Sequence, residues 1–179
     1  TVLEDKIYQL NNSFENILFL SADKGEILSG FKKFKNKKLV FLSPYRKLLE
    51  KIDLSDNDIL RVYGSFEKIP FERKKFDLII SNLCLHNINH KEKHLKDIYN
   101  LLSEDGFFIC NYFGEKNLIE LRQSLCLADE KIFNGVFMRL VPNLMMVEVS
   151  NFFSKVGFKE LVSEKISYNI YYDHAIKIL

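Results

Sequence analysis

The chain has 179 residues, is 47% hydrophobic and 28% charged, and carries a formal net charge of +2. That composition excludes a disordered chain, and so small a charge gives no ground for a nucleic-acid partner. No apolar run approaches the roughly 18–20 residues of a membrane span and no signal peptide is visible, so a cytoplasmic location is expected, and the Lys, Asn and Ile content suits an AT-rich bacterium. The length suits a single domain with a full core, spanning 1–179. The chain begins at Thr1 and ends inside an apolar pattern at Leu179, as a piece trimmed from a longer protein would. Three widely spaced cysteines, Cys84, Cys110 and Cys126, read as buried thiols in a reducing compartment, not as a disulfide framework or a zinc site.

In chain order, Thr1 to Ser13 reads as an amphipathic lead-in helix with Val2, Leu3, Ile7 and Leu10 on one side. Ile17 to Leu20 is a first buried strand, and Gly25 opens a helix carrying Ile27, Leu28 and Phe31. The lysines at 32, 33, 35, 37 and 38 read as a solvated loop. Leu39 to Leu42 is a second strand, and Ser43 and Pro44 are the N-cap and first-turn proline of a helix over Tyr45 to Ile52. Ile59 to Val62 is a third strand and Phe76 to Ser81 a fourth. Leu95, Ile98, Leu101 and Leu102 recur at helical spacing, and Gly106 is expected as the left-handed cap that ends that helix. Gly106 to Phe113 is a fifth strand, so strand, helix and strand make a right-handed parallel unit. Leu118 to Ala128 is a helix, Asp129 to Pro142 an irregular cover, and Met145 to Val156 a helix closed by Gly157. Residues 117–157 thus form a helical cover insertion. Phe158 to Glu164 and Ile166 to Tyr171 read as two more strands.

The stretches FDLIISNLCLHNINH and LLSEDGFFI resemble the fourth and fifth strands of a class I S-adenosylmethionine-dependent methyltransferase. Phe113-Gly114, Leu118, Glu120-Leu121-Arg122, Ser124-Leu125, Arg139, Pro142 and Gly157-Phe158 resemble one branch of that superfamily. That branch holds the malonyl-acyl-carrier-protein O-methyltransferases of biotin synthesis and the mitochondrial complex I assembly factors with a methyltransferase fold. The resemblance implies an α/β, Rossmann-like sandwich: a seven-stranded, mostly parallel sheet with an antiparallel C-terminal edge. It also implies S-adenosylmethionine as cofactor, another protein as partner, and a role in assembling respiratory complex I.

The family's cofactor site needs a glycine-rich turn after strand one, an acid ending strand two for the ribose hydroxyls, and a polar or acidic residue after strand three for the adenine amine. Aligned to those patterns, Phe19 falls on the acid of strand one, Ser21 and Asp23 on the first two glycines, and Gly25 on the retained third. Phe41 falls on the ribose-binding acid, and Ser65, beside Phe66, on the adenine-binding position. Asn82 after strand four is kept. Two lost charged hydrogen bonds, each about 1.5–3 kcal/mol, lower affinity by roughly two to four orders of magnitude. The expectation is a methyltransferase fold with a degenerate cofactor site, a scaffold rather than a methylating enzyme. The alternative is a methyltransferase acting on a small-molecule or carrier-protein carboxylate.

By the resemblance, His86 borders the cofactor and substrate cavity, and Arg122 and Arg139 match cover-region arginines able to bind a carboxylate or phosphate. A structural ion pair is the competing role for both arginines. His86, His90 and His94 are four apart, but a strand end and a loop separate them, so no metal site is expected. Cys84 is expected as a small buried residue, and Phe133, Phe137, Met138, Met145 and Met146 as core, with a docking surface as the other possibility.

Overall fold

The computed structural model describes residues 2–10, 14–22, 37–52 and 59–178. Five strands form one sheet in the order β3-β2-β1-β4-β5: β1 (Asn16–Ser21), β2 (Lys38–Ser43), β3 (Ile59–Tyr63), β4 (Phe76–Asn82) and β5 (Leu102–Asn111). Every pairing is parallel. The helices are α1 (Val2–Gln9), α2 (Arg46–Leu49), α3 (Lys91–Leu101), α4 (Ile119–Phe133) and α5 (Met146–Val156). The central strands β1, β2 and β4 form on largely apolar runs, as expected of strands covered on both faces, whereas edge strand β3 (ILRVY) is mostly exposed.

Alternation sorts those runs between two cores. Ile17, Phe19, Leu39, Phe41, Ile59, Leu78 and Ile80 meet Leu3 and Ile7 of α1 and Leu49 of α2. On the other face Leu18, Leu20, Leu42 and Ile79 meet Ile98 and Leu101 of α3. A third cluster joins Leu85 and Leu95 to Leu144 and Val149, which docks α5 beside α3. Gly157 closes α5 at φ 109°, its N–H donating to the carbonyl of Phe153 at 3.2 Å.

Several expectations are corrected. The sheet has five strands among the described residues, not seven, and no antiparallel edge. Phe158 packs on Phe153 and Tyr99, with ring centroids 5.0 and 5.1 Å away, but residues 159–174 are exposed throughout. That segment is held by charge and not by a ladder: Glu164 pairs with Lys6 at 2.5 Å and Lys165 with Glu115 at 2.7 Å. Gly106 caps no helix, because α3 ends at Leu101 and Leu102 already pairs with Phe76. The register then jumps to Leu78 against Phe107, so residues 103–106 bulge. Glycine is required there by close approach: a Cβ on Gly106 would lie 3.0 Å from the Leu102 side chain and 3.1 Å from the Phe76 carbonyl. The helix after β2 is a single turn, Arg46–Leu49, with Tyr45 as its N-cap. Ser43 still serves the turn, since its Oγ accepts the Tyr45 N–H at 3.3 Å. Cys126 and Phe133 are exposed on α4, whose one buried residue is Asp129, and Phe137, Met138, Met145 and Met146 beyond it are exposed as well. The Gly25 helix and most of the lysine-rich loop lie outside the described residues.

Candidate active site

In an open parallel sheet, ligands bind beyond the carboxyl ends of the strands, where the strand order reverses. Here the reversal lies between β1 and β4, which both adjoin the sheet centre. All five strands end in uncharged polar residues: Ser21, Ser43, Tyr63, Asn82 and Asn111. Ser21 and Asn82 come together, with the Asn82 amide donating to Ser21 Oγ at 3.3 Å, both fully or nearly fully buried. Ser81 Oγ, one residue earlier in β4, is buried without a hydrogen-bond partner among the described residues.

Phe41 is not at this rim. It is 0% exposed and Phe19 is 1% exposed, the two being register partners on adjacent strands. Their rings stack with centroids 5.7 Å apart and planes 3° from parallel. Thus two positions that align with acids hold one aromatic stack inside the first core. Ser65 is exposed and its Oγ accepts the Glu67 N–H at 3.1 Å. Phe66 is buried, and its carbonyl is 2.8 Å from Nδ1 of buried His94. That contact requires Nδ1 of His94 to carry a proton and leaves Nε2 buried without a partner among the described residues. Burial pushes the His94 pKa below the usual histidine value, against the opposing pull of the Phe66 carbonyl, Asp97 and Glu67. Asp23 and Gly25 lie outside the described residues.

His86 sits in a 3-10 turn, Leu85–Asn87, just past β4. Its ring is 4.8 Å from the ring of Phe113, and its Nδ1 is buried without a hydrogen-bond partner among the described residues. Desolvation, with a smaller push from Lys91, lowers its pKa, so the imidazole is neutral at pH 7. The turn is held by Leu83 and Asn111, which no sequence pattern marked as a pair, and by Cys84, buried as expected. Leu83 has a left-handed φ of 53°, and its N–H donates to Asn111 Oδ1 at 2.7 Å. Cys84 Sγ, sealed from solvent, reaches the carbonyls of Asn82 and Leu20 at 3.1 and 3.4 Å. The available signal for Asn111 was a polar residue ending the apolar run FFIC; nothing in the sequence marked Leu83.

The two cover-region arginines are engaged by their own chain. Arg139 grips Asp129 through both carboxylate oxygens, at 2.7 and 3.1 Å, and lies over the rings of Phe133 and Phe137 at 5.7 and 5.6 Å. Hydrogen bonds from Arg139 hold the Asp129 carboxyl below the usual range. Arg122 donates to Asn143 Oδ1 at 2.8 Å and to the carbonyls of Asn117 and Val141. Among the described residues no group of three His, Cys, Asp or Glu side chains could hold a metal. None of the described helices is long and apolar enough to cross a membrane.

This parallel strand order is that of a Rossmann-like fold, and the comparisons narrow it to the methyltransferase type. Residues 24–110 match the family model described as a methyltransferase domain. Over 177 residues the chain is 25% identical to the human protein named arginine-hydroxylase NDUFAF5, mitochondrial, covering 99% of this chain and 51% of that one. Over 73 residues it is 34% identical to a malonyl-[acyl-carrier protein] O-methyltransferase of Xylella fastidiosa, covering 41% of this chain and 25% of that one. The solved PH0226 protein of Pyrococcus horikoshii superposes with a TM-score of 0.71 at 16% identity, covering 93% of this chain and 84% of that one. The chain is a methyltransferase-fold protein related to both of these curated relatives. It spans about half the length of the NDUFAF5 proteins it matches.

Proposed function

We propose that this protein is a methyltransferase-fold scaffold that does not use S-adenosylmethionine, related to the complex I assembly factors and acting through contacts with another protein. The observation that carries this reading is the buried stack of Phe19 on Phe41. A ribose diol needs a carboxylate that accepts two hydroxyls. The aligned position offers a ring enclosed in the core, followed by buried Leu42 and by Ser43, which already accepts the Tyr45 N–H. The residues present therefore do not fit the nucleoside. On this reading Ser21, Asp23, Gly25, Ser65, Phe66 and Asn82 mark a former cofactor site. Arg122 and Arg139, occupied by Asn143 and Asp129, brace the cover. Residues 1–179 act as one domain with 117–157 as its helical cover. The relative named an arginine hydroxylase illustrates that fold alone does not dictate methyl transfer.

A second reading rests on His86, a neutral imidazole with a free buried Nδ1 beside the ring of Phe113. It makes the protein a methyltransferase for a small-molecule or carrier-protein carboxylate, with the cofactor bound without an acid on β2. Calorimetric titration of the chain with S-adenosylmethionine and S-adenosylhomocysteine decides between them. The scaffold reading expects no heat of binding at about 1 mM ligand, and micromolar affinity overturns it in favour of the second.

A further inference from the structure

The loop between β3 and β4 is tied down at both ends by backbone hydrogen bonds. The Gly64 N–H donates to the Ser43 carbonyl at 3.1 Å, and the N–H groups of Lys74 and Lys75 donate to the carbonyls of Asn100 and Leu101 at 2.9 Å each. Between these ties, residues 65–68 are fastened sideways onto the start of α3. His94, in the first turn of α3 and 2% exposed, donates from Nδ1 to the Phe66 carbonyl at 2.8 Å. Glu67 Oε1, one residue on, accepts the backbone N–H and the side-chain amide of Asn89 at 2.9 and 2.8 Å. The Phe66 ring enters the second core with Leu42 and Ile88.

This fastening depends on the charge of one ring. With a single proton, on Nδ1, the His94 imidazole satisfies the Phe66 carbonyl and buries only an acceptor at Nε2. A second proton turns Nε2 into a buried cationic donor, and no acceptor meets it among the described residues. The charged groups that face the ring are Glu67 of the loop and Asp97 of α3, and both attract that proton, but desolvation outweighs them. His90, at the N-cap of α3, acts on Glu67, and Lys91 is engaged by the Ile88 carbonyl at 2.8 Å. Outside its socket the ring takes the proton at no such cost. We infer that His94 is an acid-operated fastener: neutral, it holds residues 65–68 against α3, and protonated, it releases them and uncovers the Phe66 side of the second core while the sheet stays paired. The device sits beside the strand ends and does not depend on what they bind.

Amide hydrogen exchange of the whole chain, followed by NMR and corrected for the intrinsic effect of pH, tests this between about pH 7.5 and pH 5. The Glu67 and Asn89 amides are expected to be less protected than those of β1 and β4 at every pH, because the loop opens by itself. Their protection is level above the ordinary histidine value of 6.5 and falls about tenfold per pH unit below it, until the folded value is reached. His94→Gln keeps a donor for the Phe66 carbonyl and abolishes that slope. Glu67→Gln keeps the acceptor for Asn89 and retains the slope. Loop amides as protected as those of β1 and β4 overturn the inference, since the loop then opens only with the whole domain. So does a level profile in the unaltered chain, a slope that survives in His94→Gln, or one that vanishes in Glu67→Gln.

Discussion

The sharpest quantitative test is Phe41→Asp against Phe41→Asn. Phe41 is 0% exposed and stacked on Phe19, so either change removes a buried ring and its partner contact. Deletion of a core phenylalanine costs about 3–5 kcal/mol, of which the stack accounts for about 0.5–1.5 kcal/mol. Aspartate adds a charge penalty. A carboxyl enclosed there has its pKa raised, by about three units for a fully buried group, from an unfolded value of about 3.9. The folded state then binds more protons between the two values, so stability falls as pH rises through that window. At pH 7 this amounts to about 4 kcal/mol beyond the asparagine variant, which together with the lost ring approaches the whole stability of a small domain. Urea unfolding followed by circular dichroism is expected to give equal stabilities for the two variants near pH 4. At pH 7 the aspartate variant is expected to be largely unfolded and the asparagine variant folded. Equal stability of the two at pH 7 would refute the reasoning, because it would mean that water reaches the carboxylate as it does in an open ligand site.

Four further outcomes are expected. In a double-mutant cycle, Phe19→Leu and Phe41→Leu couple by about 0.5–1.5 kcal/mol in urea unfolding. His94 has its folded pKa below the unfolded 6.5, so stability is lost as pH falls from 6.5 towards the folded value, and His94→Gln flattens that part of a stability-versus-pH curve. Gly106→Ala drives a methyl to 3.0 Å from the Leu102 side chain and costs about 1–3 kcal/mol by thermal or urea unfolding. Asp77 Oδ2 accepts the N–H groups of Glu15 and Asn16 at 3.1 and 3.0 Å, and Ser103 donates to Oδ1 at 3.3 Å. Asp77→Ala therefore costs about 1–3 kcal/mol in urea unfolding.

The five strands were legible because each contains a short run rich in apolar residues, and one strand–helix–strand unit implied parallel pairing. The C-terminal pair misled for the same reason. Ile166, Tyr168 and Ile170 alternate as a strand would, yet alternation states a preference for a face and supplies no surface to cover it. Gly106 carried two readings, cap or close approach, and only the position of Phe76 and Leu102 separates them. At the site, the order of residues sets Phe19 and Phe41 where the resemblance aligns acids. That the two rings meet was not legible, because it depends on the register of β1 against β2. Asp77 was a missed signal: an acid inside FDLIIS calls for donors from neighbouring strands. The second halves of the Arg139–Asp129 and Arg122–Asn143 contacts lie on irregular backbone, where no periodicity predicts a neighbour.

The strand order also governs when this chain can become compact. β1 is central, and its pairing with β4 joins Ile17 to Leu78 across most of the first half of the chain. Until Phe76–Asn82 has been synthesised, Leu18 and Leu20 lack that neighbour and the α3 side of the second core does not exist. A nascent or truncated chain ending before Phe76 therefore displays its most apolar strands on an unfinished sheet, where aggregation competes with folding. Folding slowed by this long-range pairing is the expectation from the topology, whatever the site at the strand ends binds.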